Sequence, residues 1–188
     1  FTFRAHAVYA GHPAALYARI RERARAGYGG IVHDGRQHLL SFSPELFFAL
    51  RGGEIAARPM KGTAARMEGD ADAQAAAELV SDPKQRAENL MIVDLLRNDV
   101  SRIAQPGSVK VPELFSLETY ATLHQMTSLV QAKMGPGMGF RDIFQSLFPC
   151  GSITGAPKIR AMEVIRELED TPRGAYCGAI GYIDPNGD

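Results

Sequence analysis

Chemistry is most readily suspected where a charged side chain interrupts an apolar pattern, and this chain does so in the segment after Pro83. At about 100° per residue, Met91, Ile92 and Leu95 share one helical face, and Glu88 lies among them. A carboxylate on an apolar stripe is costly unless it is paired, hydrogen-bonded or bound to a cation. Asp94 stands beside Leu90 and Met91, so this helix is expected to have few solvent-facing positions. The pattern leaves two readings of Glu88 open: a buried salt bridge with Arg97 or Arg102, or a role in holding a metal or a substrate.

Pro59-Met60-Lys61-Gly62-Thr63 reads as a compact turn directly after a hairpin. Gly62 permits close backbone approach by a ligand, and Thr63 adds a hydroxyl and an amide donor. Lys61 is either an ordinary surface ammonium or part of the same site. A third segment, Gly151-Ser152-Ile153-Thr154-Gly155-Ala156-Pro157-Lys158, is a loop feeding a helix N-terminus. Free amides and the helix dipole favour an anion there, with the hydroxyls of Ser152 and Thr154 beside Gly155. A phosphate loop needs the lysine directly after its last glycine, whereas here Ala156 and Pro157 intervene. A carboxylate ligand suits the segment at least as well, and a tight loop with a capped helix is the plain alternative. His124 either orients a ligand or is a hydrogen-bonded core residue; no second histidine sits at metal-ligand spacing.

The elements that position these segments are mixed. Thr2–Tyr9, 37–42 and 46–51 read as strands, with a helix over 14–25. Gly52-Gly53 joins 46–51 to 54–58 as a hairpin. Residues 72–80 are alanine-rich and helical; Asp82 then caps a helix with Pro83 at its first position, and Gln85 completes a capping-box-like start. That helix is expected to reach Arg97 or Asn98. Strands follow at 108–111 and 127–133, a glycine-rich turn at 135–139, a helix over 141–147, a loop at 149–156 and a helix from Pro157 with Ile159, Met162, Ile165 and Leu168 on one face. Residues 176–183 read as a last strand. Strands, helices, strands, helices and a strand in that order favour an α+β fold.

The 188 residues carry 45% apolar and 22% charged side chains and no formal net charge, the composition of an ordinary globular domain. Nothing in that balance attracts nucleic acid or an anionic membrane, and no apolar run is long enough to span a bilayer. Neither class is expected as a partner. Cys150 and Cys177 fit neither a zinc spacing nor a disulfide framework and read as reduced thiols of a cytoplasmic protein.

Four segments stand together in order: Ser43-Pro44-Glu45; Arg58-Pro59-Met60-Lys61-Gly62-Thr63; the run Ala87-Glu88-Asn89-Leu90-Met91-Ile92-Val93-Asp94-Leu95-Leu96-Arg97-Asn98-Asp99; and Phe148-Pro149-Cys150-Gly151 through Lys158. In these the chain resembles the chorismate-binding domain shared by anthranilate synthase component I, aminodeoxychorismate synthase component I, isochorismate synthases and salicylate synthases, over essentially all of residues 1–188. The resemblance implies that Lys61 is decisive. Anthranilate synthases typically have a small residue there. The aminodeoxychorismate synthases have lysine, proposed to attack C2 of chorismate and expel the 4-hydroxyl before ammonia adds at C4. It further implies a general acid at Glu45, sixteen residues before Lys61, a magnesium (Mg2+) ligand at Glu88, and substrate contacts at Gly62, Thr63, His124, Ser152, Thr154, Gly155 and Tyr176. Implied partners are chorismate and a glutaminase, separate or fused, that supplies ammonia.

This chemistry asks for particular environments. A hard cation anchors a carboxylate of the substrate. A lysine nucleophile must be neutral when it attacks, and a general-acid carboxyl needs its pKa raised by an enclosed pocket. Both ends of the chain read as cut. Phe1 leads straight into a strand, and the turn 184–188 has no returning strand, so a domain incomplete at both termini, and inactive by itself, is expected.

Overall fold

The computed structural model describes residues 4–185 and residue 187. Two compact units follow each other along the chain, Phe1–Pro44 and Glu45–Asp188.

In the first unit, α1 (Pro13–Ala24) begins at His12, whose Nδ1 accepts from the Ala14 N–H at 3.2 Å, and ends at Arg25 in the left-handed region. An antiparallel hairpin, β1 (Tyr28–His33) and β2 (His38–Ser43), follows in register from Tyr28↔Ser43 to His33↔His38. Asp34 sets its turn by accepting from the Arg36 and Gln37 amides at 2.8 Å. Tyr17 of α1 stacks on Phe42 of β2 at 4.9 Å. The expected first strand does not form: residues 1–3 lie outside the described residues, and 4–9 are irregular and exposed. Alternation alone makes no strand where no neighbouring strand pairs with it. β1 was not expected, because Tyr28-Gly29-Gly30 weakens the strand pattern.

The second unit is a five-stranded antiparallel sheet with helices packed on it. Its strands are β3 (Leu46–Arg51), β4 (Glu54–Arg58), β5 (Met60–Ala65), β6 (Lys110–Thr119) and β7 (Leu123–Lys133). β7 is long enough to pair with β4 at Ala57↔Val130 and with β5 at Met60↔Thr127. β4 and β5 therefore run end to end as one bent strand broken at Pro59, which has no amide to give but accepts from the Ser128 N–H at 3.2 Å. The segment expected as a compact turn is thus strand. Its register slips between Met60 and Thr63, an extra residue that makes Lys61-Gly62 a bulge. β6 is longer than expected, and its two register slips against β7 hide the alternation.

α2 (Asp70–Ser81) and α3 (Pro83–Ser101) follow β5, and α4 (Phe140–Leu147), α5 (Gly151–Thr154) and α6 (Lys158–Leu168) follow β7. Asp82 caps α3 as expected, accepting from Lys84 and Gln85 amides at 2.7 and 3.0 Å. The reciprocal half of the capping box is absent, because the Asp82 amide is already given to the Glu78 carbonyl and Gln85 packs over Gly62 instead. Ile55 and Val130 of the sheet, Val93 and Val100 of α3, and Ile143 and Leu147 of α4 make the buried core. Leu90, Met91, Asp94 and Arg97 are exposed, so α3 has more solvent-facing positions than expected. α5 occupies part of the expected loop at 149–156. On α6, Met162 and Ile165 are half-buried while Ile159 and Leu168 face solvent. The strand expected at 176–183 does not form: the segment is a turn and irregular chain with Ile180, Tyr182 and Ile183 exposed. In the expected turn that follows, the Gly187 amide bonds the Asp184 carbonyl at 2.8 Å, while Asn186 and Asp188 lie outside the described residues. The whole is an α+β fold, as the element order required.

Candidate active site

The bulge in β5 carries Lys61 toward the short helix α5, and its Nζ donates to the Ser152 carbonyl at 3.3 Å. The Ser152 hydroxyl donates to Oε1 of Glu45, immediately before β3, at 2.9 Å. Cys150 Sγ lies 3.0 Å from the same hydroxyl, and either atom can donate. Glu45, Pro59, Ile92, Leu95 and Cys150 line a small recess at this point. Burial pushes the Glu45 carboxyl above the usual glutamate range; the Ser152 hydrogen bond, a Met60 backbone bond and the Lys61 charge act in the opposite direction. A raised carboxyl beside an amine suits proton delivery to a leaving oxygen.

Two glycines make the approach of these elements possible. Gly62 sits at φ +95°, and a Cβ there would meet Gln85 Oε1 at 3.2 Å and Met126 Cβ at 3.3 Å. At Gly151 a Cβ would meet the end of the Leu95 side chain of α3, which would have to move to admit it. The neighbouring hydroxyls are tied inward: Thr154 Oγ1 donates to the Cys150 carbonyl at 3.1 Å, and Gly155 ends α5 with its amide on the Gly151 carbonyl at 2.9 Å. Thr63 Oγ1 donates to Gln125 Oε1 at 3.0 Å, while Gln125 Nε2 donates to the Gly62 carbonyl at 2.9 Å.

Glu88, Ile92, Leu95 and Asp99 recur on α3 at helical spacing, and the last three line the recess. The half-buried Glu88 thus heads a stripe leading into the site, and among the described residues no side-chain hydrogen bond or ion pair engages it. The pairing with Arg97 or Arg102 does not form; Arg97 bonds Asp94 at 2.9 Å on the surface. No group of three His, Cys, Asp or Glu among the described residues stands ready to hold a metal ion. One open carboxylate is still a fitting donor for Mg2+, which takes one or two carboxylates and fills its octahedron with water and substrate oxygens.

His124 stands apart from this cluster. It is buried, with Nδ1 at 3.0 Å from Thr119 Oγ1 and Nε2 at 2.9 Å from Asp72 Oδ1, so both ring nitrogens are engaged. Tyr176 lies half-buried in a turn where its amide bonds the Arg173 carbonyl at 3.1 Å. The structure therefore brings Glu45, Lys61 and Ser152 together, with Gly62, Thr63, Thr154 and Gly155 on the same segments.

Sequence reasoning missed the supports. Buried Asn89 donates to the carbonyls of Lys61 at 3.3 Å and Met126 at 3.4 Å, and accepts from Ser128 at 2.6 Å, fixing the bulge from behind. Asp99 and Lys158 meet at 2.6 Å, nearly out of solvent. Asn89 shares a helical face with Ile92 and Val93, a signal of the kind that drew attention to Glu88.

Residues 1–188 match the chorismate binding enzyme family throughout, and the chain belongs to that family. It is 47% identical over 183 residues to aminodeoxychorismate synthase component 1 of Salmonella typhimurium, an alignment covering 96% of this chain and 40% of that protein. It is 40% identical over 177 residues to anthranilate synthase component 1 of Haloferax volcanii, covering 94% of this chain and 34% of that protein. Among solved structures, anthranilate synthase component I from Streptococcus pneumoniae superposes with a TM-score of 0.86 at 34% identity, covering 95% of this chain and 39% of the other. The chain thus spans about two fifths of the length of the relatives it matches. No helix among the described residues is long and apolar enough to cross a membrane.

Proposed function

We propose that this chain is the chorismate-binding part of an aminodeoxychorismate synthase component 1, converting chorismate and ammonia to 4-amino-4-deoxychorismate and water on the way to folate. The observation that carries the reading is the link from Lys61 Nζ through Ser152 to the Glu45 carboxyl, which puts an amine and a carboxyl in one site. Similarity to a protein of that name at 47% identity supports it.

In this reading the Lys61 amine bonds to C2 of chorismate, both ring double bonds shift (C1=C2 to C1=C6 and C5=C6 to C4=C5), and the C4–oxygen bond breaks. Glu45 gives its proton to the departing hydroxyl, which leaves as water. Ammonia then bonds to C4, both double bonds return and the C2–nitrogen bond to Lys61 breaks. The proton shed by the new ammonium restores Glu45. Glu88 would hold Mg2+, which when bound anchors and neutralises a substrate carboxylate. The ammonia comes from a glutaminase partner, and the protein acts in the cytoplasm, where Cys150 and Cys177 stay reduced.

The test is product analysis. The full-length protein, given chorismate, Mg2+ and ammonia, is expected to form 4-amino-4-deoxychorismate, resolved from anthranilate by chromatography. Lys61→Ala is expected to remove that product while the protein keeps its circular dichroism. Anthranilate as the main wild-type product overturns the reading.

A further inference from the structure

We propose that Ser152 is a positioning residue that couples acid to nucleophile: its hydroxyl orients the Glu45 carboxyl while its backbone carbonyl orients the Lys61 amine. The inference rests on the reading above, since it takes Glu45 and Lys61 as the reacting groups. What recommends it is convergence. Glu45 lies 107 residues from Ser152 and Lys61 lies 91 residues from it, yet both bond to this one residue.

The geometry around Ser152 is fixed from several sides. Gly151 brings α5 close against the Leu95 side chain, which fills the space a Cβ would take. The Ile153 and Thr154 amides and the Thr154 hydroxyl all bond the Cys150 carbonyl, closing the short helix on itself. The Cys150 thiol can donate to Ser152 Oγ, leaving the serine proton free for Glu45 Oε1. A carboxyl so held has one oxygen fixed and a defined plane, which is what directed proton transfer requires. The Lys61 contact uses only the backbone, so changing the serine side chain separates the two roles.

Several charged or titratable groups surround Glu45. Lys61 faces it from β5, Cys150 from the start of α5, and Asp99 of α3 lines the same recess. Lys158 of α6 reaches that recess by its ion pair with Asp99. Removing the Ser152 hydroxyl takes a hydrogen bond from Glu45 without altering any charge. Its hydrogen bond favours the ionised carboxylate and so opposes burial.

The experiment compares Ser152→Ala, Ser152→Thr and Ser152→Cys in the full-length protein. Turnover by Ser152→Ala is expected to fall about tenfold in kcat with KM changed less than about twofold, because the defect lies in orientation during the reaction. The alkaline limb of its kcat–pH profile is expected to move to higher pH. Ser152→Thr should restore both, and Ser152→Cys, a weaker donor, should fall between. Independently of any product, NMR of protein labelled with carboxyl-13C glutamate, assigned with Glu45→Gln, should show Glu45 titrating at higher pH in Ser152→Ala. That titration judges Ser152 even if the product proves to be anthranilate. An unchanged Glu45 titration overturns the proposal, as does a raised KM with intact kcat, which would make Ser152 a substrate contact only.

Discussion

Asp99, near the end of α3, accepts from Lys158, at the start of α6, at 2.6 Å, with side chains only 8% and 11% exposed. Lys158 also donates to the Ser146 and Leu147 carbonyls at 3.3 and 3.2 Å, the free acceptors at the end of α4. One ammonium thus joins three helices below the recess. Removing one partner leaves a buried charge unmatched, which typically costs about 3–5 kcal/mol. Lys158→Met and Asp99→Asn are each expected to destabilise by that order in urea unfolding. Changing both together should recover part of the loss, and a strictly additive double variant would refute the pairing.

Gly151 offers a cleaner steric test. Gly151→Ala forces its methyl into Leu95, an overpacking expected to cost about 1–3 kcal/mol. Leu95→Ala in the same chain opens the space and should recover much of that cost. If the two changes add without coupling, α5 is not wedged against α3 at this point.

Acid stability should depend on Asp72. Arg66 donates to both its oxygens at 2.9 and 3.0 Å, and the Met67 amide and His124 add further bonds. These contacts, the Arg66 hydrogen bond foremost, hold its carboxyl well below the usual aspartate range. The folded state therefore binds this proton less readily than the unfolded chain does. The stabilisation is present above the ordinary aspartate value of about 4 and is lost as pH falls toward the folded value. Asp72→Asn should lower Tm at neutral pH and flatten its decline in acid, measured by circular dichroism across a pH series. Parallel curves for variant and wild type would exclude this role.

Glu88 is the residue to change for the metal. The amide of Glu88→Gln is a poorer ligand for a hard cation, and the half-buried site has no side-chain bond to lose. The full-length variant is expected to need roughly tenfold or more additional Mg2+ for half-maximal turnover, with Tm almost unchanged. Calorimetric titration of Mg2+ gives a second readout. Equal affinity in both proteins would remove Glu88 from the ligand set.

The helical half of this fold was legible because its signals are local. Asp82-Pro83 announces the start of α3, and Gly52-Gly53 announces a hairpin, with no help from distant residues. β5 was misread because its extended state depends on β7, more than fifty residues later in the chain, reaching past Pro59 to pair with it. Residues 176–183 failed in the opposite sense: they read as a strand, but no strand among the described residues pairs with them. At the site, Lys61, Glu45 and Ser152 were named from motifs, yet their mutual bonds depend on three separate segments meeting. No spacing in one sequence displays that. Asn89 carries no charge to mark it beside Glu88, although an amide on a face shared with buried Ile92 and Val93 is equally informative.

The extra residue at Lys61-Gly62 acts as a phase shifter for the strand. On either side of it, β4 and β5 keep the same partner strand, but side chains change faces relative to an unbroken alternation. The site thus sits at the one place in this strand where inward and outward are exchanged. Deleting a single residue there would bring the pairing back into even step and remove the bulge that turns Lys61 toward Ser152. The bonds from Asn89 and Gln125 to the Lys61 and Gly62 carbonyls would go with it. The cluster is thus tuned by the length of this strand as well as by its side chains.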